Sequence, residues 1–175
     1  KEAGIKVVPV VATTALAKRM ERLGADAVVA EGTESGGHVG ELTTMALVPA
    51  VCDTVSIPVI AAGGITDGHG LAAALALGAS GVAMGTRFVC TDECPISDNH
   101  RQWVIDHTEQ DTVLCQKTIG SMMRVTKNNA SLLANEIEER GILTGKGAMD
   151  ILKEQMPVIT GQKTRKSFID GNVDS

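Results

Sequence analysis

Residues 59–88, VIAAGGITDGHGLAAALALGASGVAMGTRF, decide the fold of this chain. The stretch opens on an apolar run that breaks at the glycine pair 63–64, and a helix of small residues is predicted over 68–77. A second short strand is predicted at 82–84, and it breaks at the turn 85–86. The pattern is typical of a β-α-β unit with a glycine turn after each strand.

The two glycine turns predict a phosphate site. Both follow strand ends, where backbone N–H groups are free, and residues without a side chain let a phosphate approach those donors closely. In a (β/α)8 barrel the loops after the last two strands form the usual phosphate site. We therefore predict that this stretch binds the phosphate of a cofactor or substrate. The alternative is that Gly63 and Gly64 only make a tight turn.

Strands and helices alternate through the first half of the chain. Apolar runs predict four parallel strands with helices between them, at residues 7–11, 27–30, 57–62 and 81–84. The intervening helices are predicted at residues 15–24, 42–55 and 68–77, with Thr13 or Thr14 capping the first and Asp67 capping the third. This alternation predicts an α/β fold with a parallel sheet.

The pattern changes after Phe88. A polar loop at 92–100 precedes segments that are predicted to be helical at 100–107, 121–140 and 148–155. We therefore divide the chain into an α/β domain, residues 1–91, and a mainly helical appendage or lid, residues 92–175. An eight-stranded barrel typically needs about 250 residues. Four strands predict either an open sheet or the second half of a barrel.

Composition and charge exclude several classes of protein. Aromatic residues make up 2% of the chain, so it offers no stacking platform for nucleic acid, and a net charge of −5 argues against polyanion binding. No apolar run is long enough to cross a bilayer and the N-terminus lacks a signal-peptide pattern, so no membrane contact and a cytoplasmic location are expected. The four cysteines lack zinc-ligand spacing and are expected to be structural thiols, with no metal site.

The glycine-rich loop after the second predicted strand should carry the chemistry. Its ten residues, EGTESGGHVG at 31–40, are many for a plain connection between a strand and a helix. The loop shares the carboxyl edge of the sheet with both glycine turns, and a histidine titrates near neutrality, so His38 is the leading catalytic candidate. The alternative is a surface histidine. Glu31 and Glu34 could contact a polar ring or ribityl hydroxyls, or remain solvated. Arg87 could pair with a phosphate or with a carboxylate.

Four motifs resemble those of one flavoenzyme family. EGTESGGHVGELTT at 31–44, PVIAAGGITDG at 58–68, LAAALALGASGVAMGTRF at 71–88 and TDECP at 91–95 resemble the nitronate monooxygenases. This family, formerly called 2-nitropropane dioxygenases, also holds the FMN-dependent enoyl-acyl-carrier-protein reductases. The resemblance runs from about Val7 to Arg124.

The resemblance implies a fold, a cofactor and a set of site residues. Family members are TIM (β/α)8 barrels that bind FMN, so residues 1–91 would be the C-terminal half of such a barrel. His38 matches the active-site histidine of the family. The residues implied to bind the cofactor are Glu31, Gly36 and Gly37 along the flavin, and Gly63, Gly64, Met84, Gly85 and Thr86 around its phosphate.

Two reactions compete under this resemblance. One is the oxidation of alkyl nitronates with O2, and the motifs at 47–51, 68–79 and 91–95 look closer to it. The other is the reduction of an enoyl thioester with NAD(P)H. The family's Gly-rich first strand end does not precede Lys1, so the chain is expected to be a fragment that binds FMN weakly.

A third interpretation comes from a different class of function. A half barrel exposes two strand edges and an apolar seam, so the chain could be a non-catalytic half that associates with itself as a homodimer.

Overall fold

The computed structural model describes residues 3–159. The strands are β1 (Val10–Val11), β2 (Val28–Glu31), β3 (Gly37–His38), β4 (Val59–Ala62), β5 (Gly81–Ala83), β6 (Thr112–Cys115) and β7 (Met123–Thr126). The helices are α1 (Thr14–Arg22), α2 (Thr44–Cys52), α3 (Gly68–Ala76), α4 (Thr86–Val89), α5 (Asp98–Asp106), α6 (Asn129–Leu143) and α7 (Ala148–Ile159), with a 3-10 turn at Glu109–Asp111. The chain divides into two compact units, Lys1–Gly85 and Thr86–Ser175. Residues 160–175, which end the predicted second domain, lie outside the described residues.

The first unit is built on a four-stranded sheet in the order β1-β2-β4-β5. All three pairs of neighbours are parallel, which confirms the predicted α/β architecture. The first strand is shorter than the predicted run 7–11, because only Val10 and Val11 have strand partners. The carbonyls of Val7 and Pro9 still accept hydrogen bonds from Asp26 and Val29.

Local capping sets where two of the helices begin. The Thr13 side chain accepts the N–H of Leu16 at 3.1 Å, and Asp67 accepts the N–H of Gly70 at 3.0 Å. Both caps confirm the predictions, since short polar side chains satisfy the free donors of a first helical turn. The core is aliphatic, and its fully buried members from β1, β2, β4, α1 and α2 are Val11, Ala17, Val28, Ala30, Leu47, Val48, Val51 and Ala61.

The second unit contains an antiparallel hairpin among its helices. Strands β6 and β7 pair from Thr112 opposite Thr126 to Cys115 opposite Met123. The helix predicted over 121–140 is therefore wrong in its first part, and α6 begins only at Asn129, behind the N-cap Asn128. No helix in the part of the chain that the structure describes is long and apolar enough to span a membrane.

A buried glutamate organises the turn that follows β6. Glu138 is 4% exposed, and its carboxylate accepts the N–H of Gln116 at 3.0 Å. It also accepts the N–H of Thr118 at 2.7 Å and the hydroxyl of Thr118 at 2.6 Å. Gln116 has a positive φ of 59°, a conformation that is uncommon for a residue with a side chain. The carboxylate thus satisfies the donors of an unusual turn from a helix 20 residues away.

We expect Glu138→Ala to lower the free energy of unfolding by about 1–3 kcal/mol, because the buried N–H of Gln116 loses the carboxylate that accepts it and Thr118 loses two further hydrogen bonds. Chemical denaturation followed by circular dichroism measures the change. Glu139→Ala is the matched control, since that neighbouring side chain is exposed on the same helix, and it should shift stability by less than about 0.5 kcal/mol. Equal effects from the two variants would show that the hydrogen bonds of Glu138 do not stabilise the unit.

Candidate functional site

The carboxyl ends of three strands meet in register at one edge of the sheet. Glu31 of β2 lies opposite Ala62 of β4, and Ala62 lies opposite Ala83 of β5. Neighbouring strands are about 4.8 Å apart. The turns that follow Ala62 and Ala83 therefore start side by side, as the sequence predicts.

The turn after β4 needs glycine for reasons internal to the chain. Gly63 and Gly64 have φ values of +107° and +68°, which disfavour any residue with a side chain. A Cβ atom on Gly63 would lie 2.7 Å from Oγ1 of Thr44, and one on Gly64 would lie 3.2 Å from Cβ of Glu34. The tight-turn interpretation therefore explains both glycines without a ligand.

Two other glycines of the predicted site are not explained by a positive φ or by a close contact. Neither Gly36 nor Gly85 has a positive φ, and a Cβ atom on either would meet no atom of the described residues within 4 Å beyond its chain neighbours. Gly37 is equally open but has a φ of +84°. Across residues 3–159, the N–H groups of Gly64 and Gly85 donate to no carbonyl or side chain. Open space beside free donors at a strand end fits an anionic group such as a flavin phosphate.

The remaining predicted cofactor residues flank these turns. Met84 is half-buried and packs against the core of the first unit, and Glu31 is half-buried at the end of β2. Thr86 is exposed at the first position of α4, in the second unit. Arg87 is the next residue of that short helix and is also exposed.

The loop from β2 to α2 is fastened at its base. Gly32 donates its N–H to the carbonyl of Ala62 at 3.0 Å, and Thr33 donates to the carbonyl of Leu42 at 2.8 Å. On its far side the loop packs closely at Gly40, where an added Cβ would lie 2.6 Å from Cβ of Ala12. The loop therefore passes along the carboxyl edge toward the end of β1.

His38 lies in the middle of this loop. Its side chain is exposed, in the two-residue strand β3, two residues before the contact of Gly40 with Ala12. Because β1 is at the opposite end of the sheet from β5, that contact lies at the other end of the edge from the turn at Gly85. An exposed imidazole at this edge can exchange a proton with a bound molecule or donate a hydrogen bond to an anion.

The two glutamates of the loop differ in their surroundings. Glu34 is engaged within the chain, because its carboxylate accepts hydrogen bonds from the N–H and the hydroxyl of Thr44. The sequence did not single out Thr44, and its only signal was a threonine close to a predicted helix start. Glu31 remains open to the interpretation as a flavin contact.

Asp67 and His69 form a local pair after the first glycine turn, at residues 63–64. The N–H of Gly70, followed by the ring of His69 at 3.3 Å, holds the pKa of the Asp67 carboxyl below its usual range. Both side chains are exposed, which agrees with a capping role for Asp67.

The thiols of two of the cysteines have raised pKa values. Burial raises the pKa of the Cys52 thiol, with a smaller effect from the charge of Asp53. Burial also raises the pKa of the Cys115 thiol, followed by the charge of Glu138. Raised pKa values keep both groups in the unreactive thiol form. In the described ranges of the chain, no three His, Cys, Asp or Glu side chains form a group that could hold a metal ion.

Comparisons with known proteins identify the family of this chain. A family model described as nitronate monooxygenase matches residues 1–155. The chain is 42% identical over 171 residues to "(3aS,4S,5R,7aS)-5-hydroxy-7a-methyl-1-oxo-octahydro-1H-indene-4-carboxyl-CoA dehydrogenase" of Rhodococcus jostii (strain RHA1), covering 98% of this chain and 48% of that protein. It is 41% identical over 138 residues to a probable nitronate monooxygenase of Staphylococcus aureus (strain JH9), covering 73% of this chain and 39% of that protein.

A solved structure extends the likeness to the fold. FabK from Thermotoga maritima matches with a TM-score of 0.84 and 42% identity, covering 99% of this chain and 52% of that one. The chain thus spans about half the length of the relatives it matches. Its parallel α/β sheet is part of a TIM-barrel family fold, and the chain belongs to the nitronate monooxygenase family of oxidoreductases.

Proposed function

We propose that the protein carrying this chain is an FMN-dependent oxidoreductase that oxidises alkyl nitronates with O2. The observation that carries the proposal is the open cradle at the carboxyl edge of the sheet. In the part of the chain that the structure describes, a Cβ atom on Gly36 or Gly85 would meet nothing within 4 Å, and the N–H groups of Gly64 and Gly85 donate to no protein acceptor there. A ligand with an anionic group accounts for both facts.

We assign some residues of this edge to the phosphate of FMN and others to its flavin ring. Gly64 and Gly85 would donate backbone N–H groups to the phosphate, and Gly63 and Met84 would shape the two turns. Thr86 is included because it directly follows Gly85. Glu31, Gly36 and Gly37 would line the flavin. When bound, FMN supplies the oxidation of the substrate and the reaction with O2.

His38 is the proposed catalytic residue. A nitronate carries a negative charge on its oxygen atoms, and an imidazole N–H can donate a hydrogen bond to that charge. The same nitrogen can hold or release a proton as the substrate changes charge. The open space at Gly36 and Gly37 leaves room for a substrate beside the histidine.

A second candidate is oxidation or reduction of an acyl thioester, such as FMN-dependent reduction of an enoyl thioester with NAD(P)H. The observation that favours it is the extent of the matches. A relative named as a CoA dehydrogenase matches this chain over 98% of its length at 42% identity. The thioester candidate uses the same cradle and the same histidine.

A steady-state assay separates the two candidates. We expect the purified protein, supplied with FMN, to consume O2 with an alkyl nitronate and to be inactive with crotonyl thioester plus NADH. The reverse result would assign the thioester reaction, and inactivity on both substrates would contradict the proposed function. Boiled protein with free FMN is the control for flavin chemistry in solution.

Self-association and location are separate proposals. The edge strand β1 exposes the side chain of Val10, at 55%, and Ile5, in the segment before this strand, is 69% exposed. Such an edge supports pairing with a second copy as a homodimer. Size-exclusion chromatography tests this alternative, which a monomer would contradict.

We propose a cytoplasmic location, with a small molecule as partner rather than nucleic acid or membrane.

A further inference from the structure

The side chain of Thr44, at the start of α2, touches two other segments of the first unit. Its hydroxyl oxygen lies 2.9 Å from Oε2 of Glu34 and 2.9 Å from the carbonyl oxygen of Gly63. Both neighbours are acceptors, so the single hydroxyl proton is donated to one of them at a time. One side chain therefore joins the histidine loop to the first glycine turn.

Two glycines make room for this hydroxyl. A Cβ atom on Gly32 would lie 2.2 Å from Oγ1 of Thr44, and one on Gly63 would lie 2.7 Å from it. Both distances are far below a van der Waals contact. The chain therefore omits side chains at two strand ends where the hydroxyl of Thr44 sits.

Glu34 completes the contact by capping α2 from a distance. Thr43 occupies the N-cap position but makes no side-chain cap bond. Glu34 supplies the acceptor instead, with its two carboxylate oxygens 3.1 and 2.9 Å from the N–H of Thr44. A carboxylate at this end of a helix also interacts favourably with the helix dipole.

We propose that Glu34 and Thr44 form a latch that positions residues 35–40, the segment that carries His38. The latch holds one end of this segment, and the packing of Gly40 against Ala12 holds the other. Through Gly63 it also fixes the segment relative to the glycine turn. Glu34 and Thr44 are positioning residues that act through His38, and this inference rests on the proposed function.

The test compares Thr44→Val with Thr44→Ser in the protein that carries this chain. Valine lacks the hydroxyl, whereas serine retains it. Hydrogen exchange of the amides of 35–40 is the first readout, and we expect it to rise roughly tenfold in Thr44→Val, as loss of a hydrogen bond in a loop allows. Turnover should fall by up to about 10²-fold, the effect of a misplaced catalytic group. Thr44→Ser should keep the parental exchange of these amides and the parental turnover.

Two further variants keep the result interpretable. Thr43→Val is the matched control, because Thr43 is exposed and makes no cap bond, and it should change neither readout. Thr44→Ala should behave as Thr44→Val does, which excludes a steric effect of the valine.

The outcomes distinguish this inference from the proposed function. Unchanged exchange and turnover in Thr44→Val would overturn the latch, even if His38→Ala were inactive. Lower thermal stability with unchanged exchange at 35–40 and unchanged kcat would show a merely structural role and would also overturn it. Faster exchange in Thr44→Val would support the latch even if His38→Ala were fully active, a result that would contradict only the catalytic assignment.

Discussion

Replacing His38 with alanine should lower turnover by about 10²–10⁴-fold, the usual contribution of a general acid or base. FMN should stay bound, because the proposed phosphate contacts lie at the turns after β4 and β5 and not at the histidine. Stopped-flow or steady-state kinetics measure the loss, and flavin fluorescence measures the binding. His38→Gln separates hydrogen-bond donation from proton transfer, since a glutamine amide can donate a hydrogen bond but does not act as a general acid or base.

His69→Ala is the matched control for this prediction. His69 is also an exposed histidine of the first unit, and its ring contacts Asp67. It should retain parental turnover. If His38→Ala kept parental turnover on nitronate and thioester substrates alike, the histidine would be an ordinary loop residue and the assigned active site would be wrong.

Replacing Gly85 with valine should weaken FMN binding by about tenfold to a hundredfold, which corresponds to the loss of one or two hydrogen bonds to a charged phosphate. The reason is steric, because a side chain here would fill the space that the phosphate is proposed to occupy. Within residues 3–159, a Cβ atom on Gly85 would meet nothing within 4 Å beyond its chain neighbours, so the folded structure should tolerate the change. Titration of the apoprotein with FMN measures the affinity.

Gly81→Val is the control for Gly85→Val. Gly81 begins β5, and a Cβ atom there also meets nothing within 4 Å. It should leave the affinity for FMN unchanged. Gly64→Val is a less selective variant, because φ is +68° and Glu34 is close, so stability and flavin binding should fall together. Undiminished affinity in Gly85→Val or Gly64→Val would remove the phosphate site from these turns.

Short-range patterns explain why the first unit could be predicted. Glycine follows the ends of β2, β4 and β5 within two residues, and the caps at Thr13 and Asp67 use donors only three residues away. Such signals are complete within a few residues of sequence. The parallel direction of the strands then follows from the helices between them, and it places the glycine turns and the histidine loop at one edge.

Longer-range contacts explain what the sequence did not reveal. The hairpin strand Met123–Thr126 has only four residues, and the apolar Met122 and Val125 fit the helical period of the segment after it. Pairing with Thr112–Cys115 makes this segment a strand rather than the first part of the predicted helix. Likewise, the carboxylate of Glu34 accepts a hydrogen bond from Thr44, ten positions further along the chain, and no local motif predicts that contact.

The most direct test of the central claim is anaerobic mixing of the purified protein, loaded with FMN, with an alkyl nitronate while the visible flavin spectrum is recorded. The account predicts that the flavin absorbance falls without added NAD(P)H, that it returns when O2 is admitted, and that His38→Ala slows the first change. A protein that binds no FMN, or whose flavin absorbance does not respond to the nitronate, would contradict it.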